Sequence, residues 1–458
     1  MRIHVLLATA IFVATAIDLP GQGRGRRGSR IRPPEETTPA PAAAEAKPDD
    51  KPKEYTAIVG GDVYLGTGQR LSGATVLIAD DKIAEVGHNL TLPEGTRTID
   101  AKGKVVSPGF VCVTASGMGA SRSAPFKDGC NPFDPSIKQG LAAGITSFLT
   151  GSPGGGNMPS GTNAIAKLAY GDVDGMVMQE NTVAGINVPM NLEEFAKLKE
   201  SIEKAREYVT ALAEFPAKKA ADKDAKEPPM PRGAEKIVDI LRDKVVLWVT
   251  LRSAGFNPFR AMMGLGNDSG NDLDAIRQAL EISKLLDHGV VLQKPMSAWL
   301  VPDEIAATGS MVVLSPRDRT AADPKDPDRT GSNLASAAIL DAVGVPVAVT
   351  CPQGRFGGGG VGTNGILGQD LNTPHVDAAF AVRGGLDNRK ALRTLTLDAA
   401  RTLGVESRIG SLEAGKDADV LILDGDPLHY ATFVEVALVN GKVVYEKDKD
   451  PLYSHITR

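Results

Sequence analysis

From Tyr55 to Val106 the chain alternates apolar and polar positions in short runs: YTAIVGGDVYLG, ATVLIADDKIAEVG and TRTIDAKGKVV. Successive side chains of a strand leave opposite faces, so this alternation, broken by Gly-Gly, Asp-Asp and Lys-Gly pairs, predicts strands joined by tight turns. The far end repeats the pattern in IGSLEAGKDADVLILDGDPL and VEVALVNGKVVY, from Ile409 to Tyr445. Asn440-Gly441 between two alternating runs is a strong hairpin signal. Neither piece makes a closed sheet alone, so both ends are expected to meet in one small β-sandwich. The chain leaves it near Pro108 and returns near Gly410.

Between these ends, over roughly 300 residues, short β-rich runs alternate with helical ones, which predicts a (β/α) barrel. The expected strands are Gly109 to Val113, Thr146 to Leu149, Val173 to Gln179, Val245 to Leu251, Val290 to Gln293, Met311 to Leu314 and Val345 to Thr350. Glu193 to Phe215 and Asp272 to Leu286 carry apolar residues at helical spacing with charge opposite. Pro216 to Pro231, rich in Lys, Asp and Pro, reads as a surface excursion. The fold class is therefore α/β, a TIM-like barrel with a composite β-sandwich. Its divisions are residues 54–107 and 409–458 for the sandwich and tail, and 108–408 for the barrel.

The first 53 residues follow neither pattern. Arg2, the apolar run Val5 to Ile17 and Ala14-Thr15-Ala16 suit a cleaved export signal over residues 1–16. An uncleaved anchor is the alternative, but the run is short for a stable membrane span. Residues 17–53, Arg-rich and then Pro/Ala/Glu-rich, cannot bury enough surface to fold and read as a linker. Export makes the setting periplasmic or extracellular. Three cysteines, Cys112, Cys130 and Cys351, leave at least one unpaired there and are read as small buried apolar residues. A net charge of −5 carries no strong field, so nucleic acid is not an expected partner.

Several ordered segments carry a resemblance. VVSPGFVCVTAS, GLAAGITSFLTGSPGG, ALRTLTLDAARTLGV and RIGSLEAGKDADVLIL resemble signature segments of the metal-dependent amidohydrolase superfamily, in its imidazolonepropionase-like branch. KAREYVTALAEF before the Pro-rich stretch is similar to that branch as well. The resemblance runs from about Ala57 to Val444 and implies a barrel bearing a composite sandwich. It also implies one or two divalent metals, such as zinc, at the C-terminal barrel mouth, where a metal acidifies water for attack on a C–N bond.

At the positions where the resemblance puts metal ligands, the residue types differ. The first-strand His-x-His corresponds to Thr114 and Ser116, the bridging carboxylate to Ile186, two later histidines to Val249 and Lys294, and the late aspartate to Pro352. Hydroxyls are poor substitutes for imidazole, aliphatic groups cannot ligate, and an ammonium repels a cation. His88, His288, His375, His429 and His455 show no paired spacing that would rebuild a site. No metal of the family's type and no other cofactor is expected. GGGGVG (Gly357 to Gly362) lacks the acidic partner of a dinucleotide fingerprint, and GSPGGGNMPSG (Gly151 to Gly161) lacks the Lys-Ser/Thr end of a P-loop.

Three functions follow. The first is an exported amidohydrolase relative without metal-dependent hydrolysis that binds a small organic ligand or partners an active paralogue or a second copy. The second is a C–N hydrolase working with the polar groups left at the mouth, Lys294, Arg252, Thr114 and Ser116. The third is a structural scaffold. The missing ligands favour the first, because a fold alone does not confer activity.

Overall fold

The computed structural model describes residues 53–251, 272–318, 320–351, 361–362, 374–451 and 453–456. The expected export signal, the linker up to residue 52, Arg252 and Pro352 lie outside the described residues.

Five strands open the described chain: β1 (Tyr55–Tyr64), β2 (Arg70–Ala79), β3 (Lys82–Gly87), β4 (Arg97–Asp100) and β5 (Val105–Pro108). β6 (Phe110–Cys112) and β7 (Ala115–Ser116) follow, then α1 (Pro135–Ala142), which starts where Asp134 accepts from Ser136 N and Pro135 presets the first turn. β8 (Ile145–Ser152), β9 (Thr162–Lys167), β10 (Val177–Glu180) and β11 (Val183–Val188) come next. The long α2 (Leu192–Ala221) is set by a capping box, Asn191 bonding Glu194 N and Glu194 bonding Asn191 N. Beyond it lie α3 (Glu235–Leu241), β12 (Val246–Leu251) and α4 (Leu273–Leu286), which Asp287 ends in the left-handed conformation at φ 57°. Then come β13 (Val291–Gln293), α5 (Pro302–Ala306), β14 (Met311–Leu314), α6 (Ser336–Ala342), β15 (Val347–Val349), β16 (Val361–Gly362), α7 (Pro374–Arg383), α8 (Asn388–Arg393) and α9 (Leu397–Thr402). β17 (Val420–Leu423), β18 (Val434–Val439) and β19 (Lys442–Glu446) complete the chain.

Strands from both ends form one eight-stranded sheet, ordered β19-β18-β17-β5-β1-β2-β3 with β4 on β1. The joint is β5 against β17, antiparallel, with Pro108 opposite Val420. The expected sandwich is a single sheet that curls. Irregularities around Gly61 in β1 accentuate its twist, and Ile83 N bonds Lys416 O at 2.8 Å while Ala418 N bonds Asp81 O at 2.8 Å. Inside the curl, Ile58, Val76, Ile78, Val106, Val420 and Ile422 form one apolar cluster. The turn between β18 and β19 is Asn440-Gly441, with φ of 50° and 73°. A Cβ at Gly441 would fall 1.9 Å from Asp80 O, so glycine is required by close approach as well as by φ.

The middle of the chain holds a parallel sheet, β11-β12-β13-β14-β15, and a four-stranded sheet, β10-β9-β8-β6. Main-chain bonds link them on both flanks. Gly185 N and Ser160 N exchange bonds with each other's carbonyls at 2.8 and 3.2 Å on one flank. On the other, Val111 N bonds Leu395 O at 2.7 Å and Val349 N bonds Thr394 O at 3.2 Å. Val111, Leu149, Ile165, Val183, Trp248, Val291, Val313 and Ala348, from eight strands, share one buried cluster with Ala399 and Ala400 of α9. The Trp248 indole N–H donates to Thr402 O at 2.6 Å.

Two expected elements differ. The strand read at Val173 to Gln179 is displaced: an Asp172–Gly175 turn precedes β10, which pairs antiparallel with β9, and the parallel strand is β11. The excursion read from Pro216 begins later, because α2 continues to Ala221 with Lys218 paired to Glu214 at 2.8 Å across one turn.

β9 carries the tie between core and sheet. Lys167 is 1% exposed, and its Nζ lies 2.7 Å from Asp417 Oδ2, 3.0 Å from Asp419 and 2.7 Å from Asn440 Oδ1. Arg408 and Lys82 also bond Asp417.

Candidate functional site

The ends of β13, β14 and β15 bring polar side chains to the same edge of the parallel sheet. Gln293 pairs with Val313 across β13 and β14, Lys294 N bonds Val313 O at 2.8 Å, and Thr350 N bonds Leu314 O at 2.8 Å. Val291 and Val313 belong to the buried inner cluster. Strand alternation therefore puts Gln293 and Ser315, each two residues further on, on that same face. Lys294 follows at φ 50°, which breaks the alternation and frees its side chain from the helix-facing side.

Three of these groups are buried polar atoms without a hydrogen-bond partner among the described residues: Gln293 Nε2, Lys294 Nζ and Ser315 Oγ. Burial lowers the Lys294 amine below the ordinary lysine range, and the Asp318 carboxylate, 3.8 Å away, counters only part of that. Arg317 is already satisfied by a bidentate pair to Asp377, at 2.8 and 3.0 Å. Asp377 is fully buried, and burial raises its carboxyl despite that pair. At the neighbouring strand ends Thr114 Oγ1 meets Thr350 Oγ1 at 3.4 Å, while burial pushes the Cys112 thiol well up. None of the three cysteines forms a disulfide.

The positions singled out from sequence fall into two groups. Thr114 and Lys294 lie at this edge, and Ser116 in β7 pairs through its main chain with Gly362 of β16. Ile186 and Val249 are fully buried in the apolar cluster that includes Leu198, Ile276 and Leu280 of the helices. Their strands turn Gly185 and Trp248 to the opposite face. Pro352 and Arg252 fall outside the described residues. Gln293, Ser315, Thr350, Arg317 and Asp377 were not singled out. A polar residue two positions past a buried valine, as in VLQ and VVLS, is the signal that finds the first two.

The described residues at this edge make a poor donor set for a divalent metal of the kind the resemblance implies: they are hydroxyls, an amide and an ammonium, with the carboxylates of Asp377, held by Arg317, and Asp318, beside Lys294. Among the described residues no group of three or more His, Cys, Asp or Glu converges to hold a metal ion. His288 pairs with Asp243 at 3.2 Å, away from the strand ends named here. Nor, among those residues, is any helix long and apolar enough to cross a membrane.

Residues 277–445 match the family model described as Amidohydrolase family. A 5-methylthioadenosine/S-adenosylhomocysteine deaminase of Symbiobacterium thermophilum is 38% identical over 71 residues, covering 12% of this chain and 16% of that protein. The protein so named from Moorella thermoacetica is 28% identical over 162 residues, 30% of this chain and 36% of its own length. The chain thus spans little more than a third of these relatives at most. Among solved structures, an amidohydrolase from Thermotoga maritima MSB8 shares the fold with a TM-score of 0.58 and 24% identity, over 85% of this chain and all of that one. Residues 277–445 are thus similar to the amidohydrolase family, and the chain shares its fold with the Thermotoga maritima amidohydrolase.

Proposed function

We propose that this protein is an amidohydrolase relative whose strand-end edge binds a small organic ligand in place of carrying out metal-dependent hydrolysis. The observation that carries the reading is Lys294: a buried ammonium without a hydrogen-bond partner among the described residues stands where the resemblance puts a metal-binding imidazole. A cation and this ammonium would repel each other at close range, whereas an organic acceptor would satisfy it. The two linked sheets are read as the wall of a (β/α) barrel, with this edge at its C-terminal mouth and the curled sheet as a composite accessory domain. On this reading Thr114, Thr350 and Lys294 border the mouth. Assembly with a second copy or with an active paralogue would let such a protein serve as a binding subunit.

The direct test is turnover. Cyclic amides, N-acyl amino acids and 5-methylthioadenosine, the last chosen because of the relatives' names, are incubated with the purified chain with and without zinc. No hydrolysis or deamination above the buffer rate is expected. Chelator-sensitive turnover of any of them would replace this reading with that of an active enzyme.

A further inference from the structure

Three unpartnered groups at adjacent strand ends have one feature in common. Lys294 Nζ and Gln293 Nε2 are donors only, and Ser315 Oγ can donate. Leaving a buried donor unsatisfied is costly, more so for a charge, so three together at one edge call for an acceptor-rich group between them. Resting on the ligand-binding reading above, we propose that the Gln293–Lys294–Ser315 edge is a recognition site for the carboxylate of a small monoanionic ligand.

The surrounding charges select a monoanion. Arg317 is neutralised by its bidentate partner Asp377, whereas Lys294, among the described residues at this edge, has only the 3.8 Å contact with Asp318. Asp318 lies 3.8 Å from Lys294 Nζ, and Asp377 is the second carboxylate felt by the same amine. Beside these two carboxylates a dianionic phosphate meets more repulsion than a carboxylate, which brings one charge and two oxygens for three donors. The site is nearly assembled by the backbone alone: Gln293 and Ser315 share the face of Val291 and Val313, and the left-handed conformation at Lys294 departs from the strand's alternation between them.

Electrostatics give the site its own reporter. Besides Asp318 and Asp377, the groups that act on Lys294 include the buried thiol Cys351, while Arg317 is tied to Asp377. None of them neutralises Lys294 enough to offset its burial, so its amine is held below the ordinary range. A bound carboxylate reverses that by favouring the charged form.

The test uses the full chain labelled with nitrogen-15 in lysine, the Lys294 side-chain signal being assigned by its loss in Lys294→Met or, should that variant not fold, in Lys294→Arg. The signal is titrated with pH alone and in the presence of benzoate, benzamide or phenyl phosphate. Benzoate is expected to raise the Lys294 titration midpoint by about one pH unit, benzamide to leave it in place, and phenyl phosphate to act more weakly than benzoate. Ser315→Ala and Gln293→Leu should each weaken benzoate binding severalfold while keeping the signal. An unmoved midpoint with benzoate, or an equal response to benzamide, overturns the carboxylate assignment. A stoichiometric metal with chelator-sensitive turnover in the same preparation overturns instead the reading on which it rests.

Discussion

Lys167 and Asp417, 250 positions apart, meet at 2.7 Å in an almost dry contact, Nζ to Oδ2, with side chains 1% and 0% exposed. The pair joins β9 of the core to the segment leading into β17 of the composite sheet. Asp417 lies in GKDADV, part of the most specific segment of the resemblance, and here that segment serves as a structural tie rather than as chemistry. Its energetics depend on completeness. Asp419, Asn440, Arg408 and Lys82 satisfy what the pair leaves over.

Removing the ammonium leaves buried carboxylates without their central partner. Lys167→Met is therefore expected to destabilise the protein by about 3–5 kcal/mol, the range for breaking a buried ion pair. Urea unfolding monitored by circular dichroism measures it, and a loss below about 1 kcal/mol would show the tie to be dispensable.

The same network predicts an acid limb. Burial would raise the Asp417 carboxyl, but Lys167, with Lys82 and Arg408, outweighs it and holds the group at about 2 against an ordinary 3.8. A carboxylate depressed on folding contributes stability that is fully present above its unfolded value and is lost as pH falls through its folded one. Unfolding free energy should thus drop by roughly 2 kcal/mol between pH 4 and pH 2. In Asp417→Asn this part of the drop should vanish, and an unchanged acid limb in that variant would assign it to other groups.

Lys294 has the opposite sign. Its amine is lowered by burial, so the folded state holds its proton less well than the unfolded chain, and stability rises with pH between the folded and unfolded values. Lys294→Met should raise stability at pH 7 by about 1–3 kcal/mol, the cost of an unsatisfied buried polar group. The gain should shrink as pH approaches the free-lysine range. A destabilised variant in thermal unfolding would mean that the ammonium is already satisfied in the empty protein.

Much of the fold could be read because its signals are local. Asn440-Gly441 between alternating runs marked the hairpin, and the repeated alternation at both ends pointed to one shared sheet. Val173 to Gln179 misled because its apolar residues resemble a strand, while the turn that displaces it depends on Asp172 bonding Gly175. Pro216 was read as a stop, yet the helix carries it near its exposed end. At the site, Lys294 was singled out from the resemblance, and it lies at the strand ends beside Asp318. Ile186 and Val249 show the limit, since a one-residue step along a strand exchanges the inner and helix-facing sides. Gln293 and Ser315 become neighbours only through the pairing of β13 with β14, which no single segment encodes.

Thr114→His with Ser116→His restores two imidazoles without their remaining partners. Two imidazoles alone hold zinc weakly and leave its water poorly activated. The double variant is expected to show no zinc-dependent hydrolysis of cyclic amides or N-acyl amino acids. Turnover of either would show that unrecognised ligands complete the site.

The central proposal, that this protein works without a bound metal, is tested most directly by metal content. The purified chain is exposed to excess zinc, dialysed at neutral pH and analysed by mass spectrometry for bound transition metal per chain. The account predicts only trace metal and no change in thermal stability on adding a chelator. One or two tightly held zinc ions per chain, released by chelator with loss of stability, would contradict it.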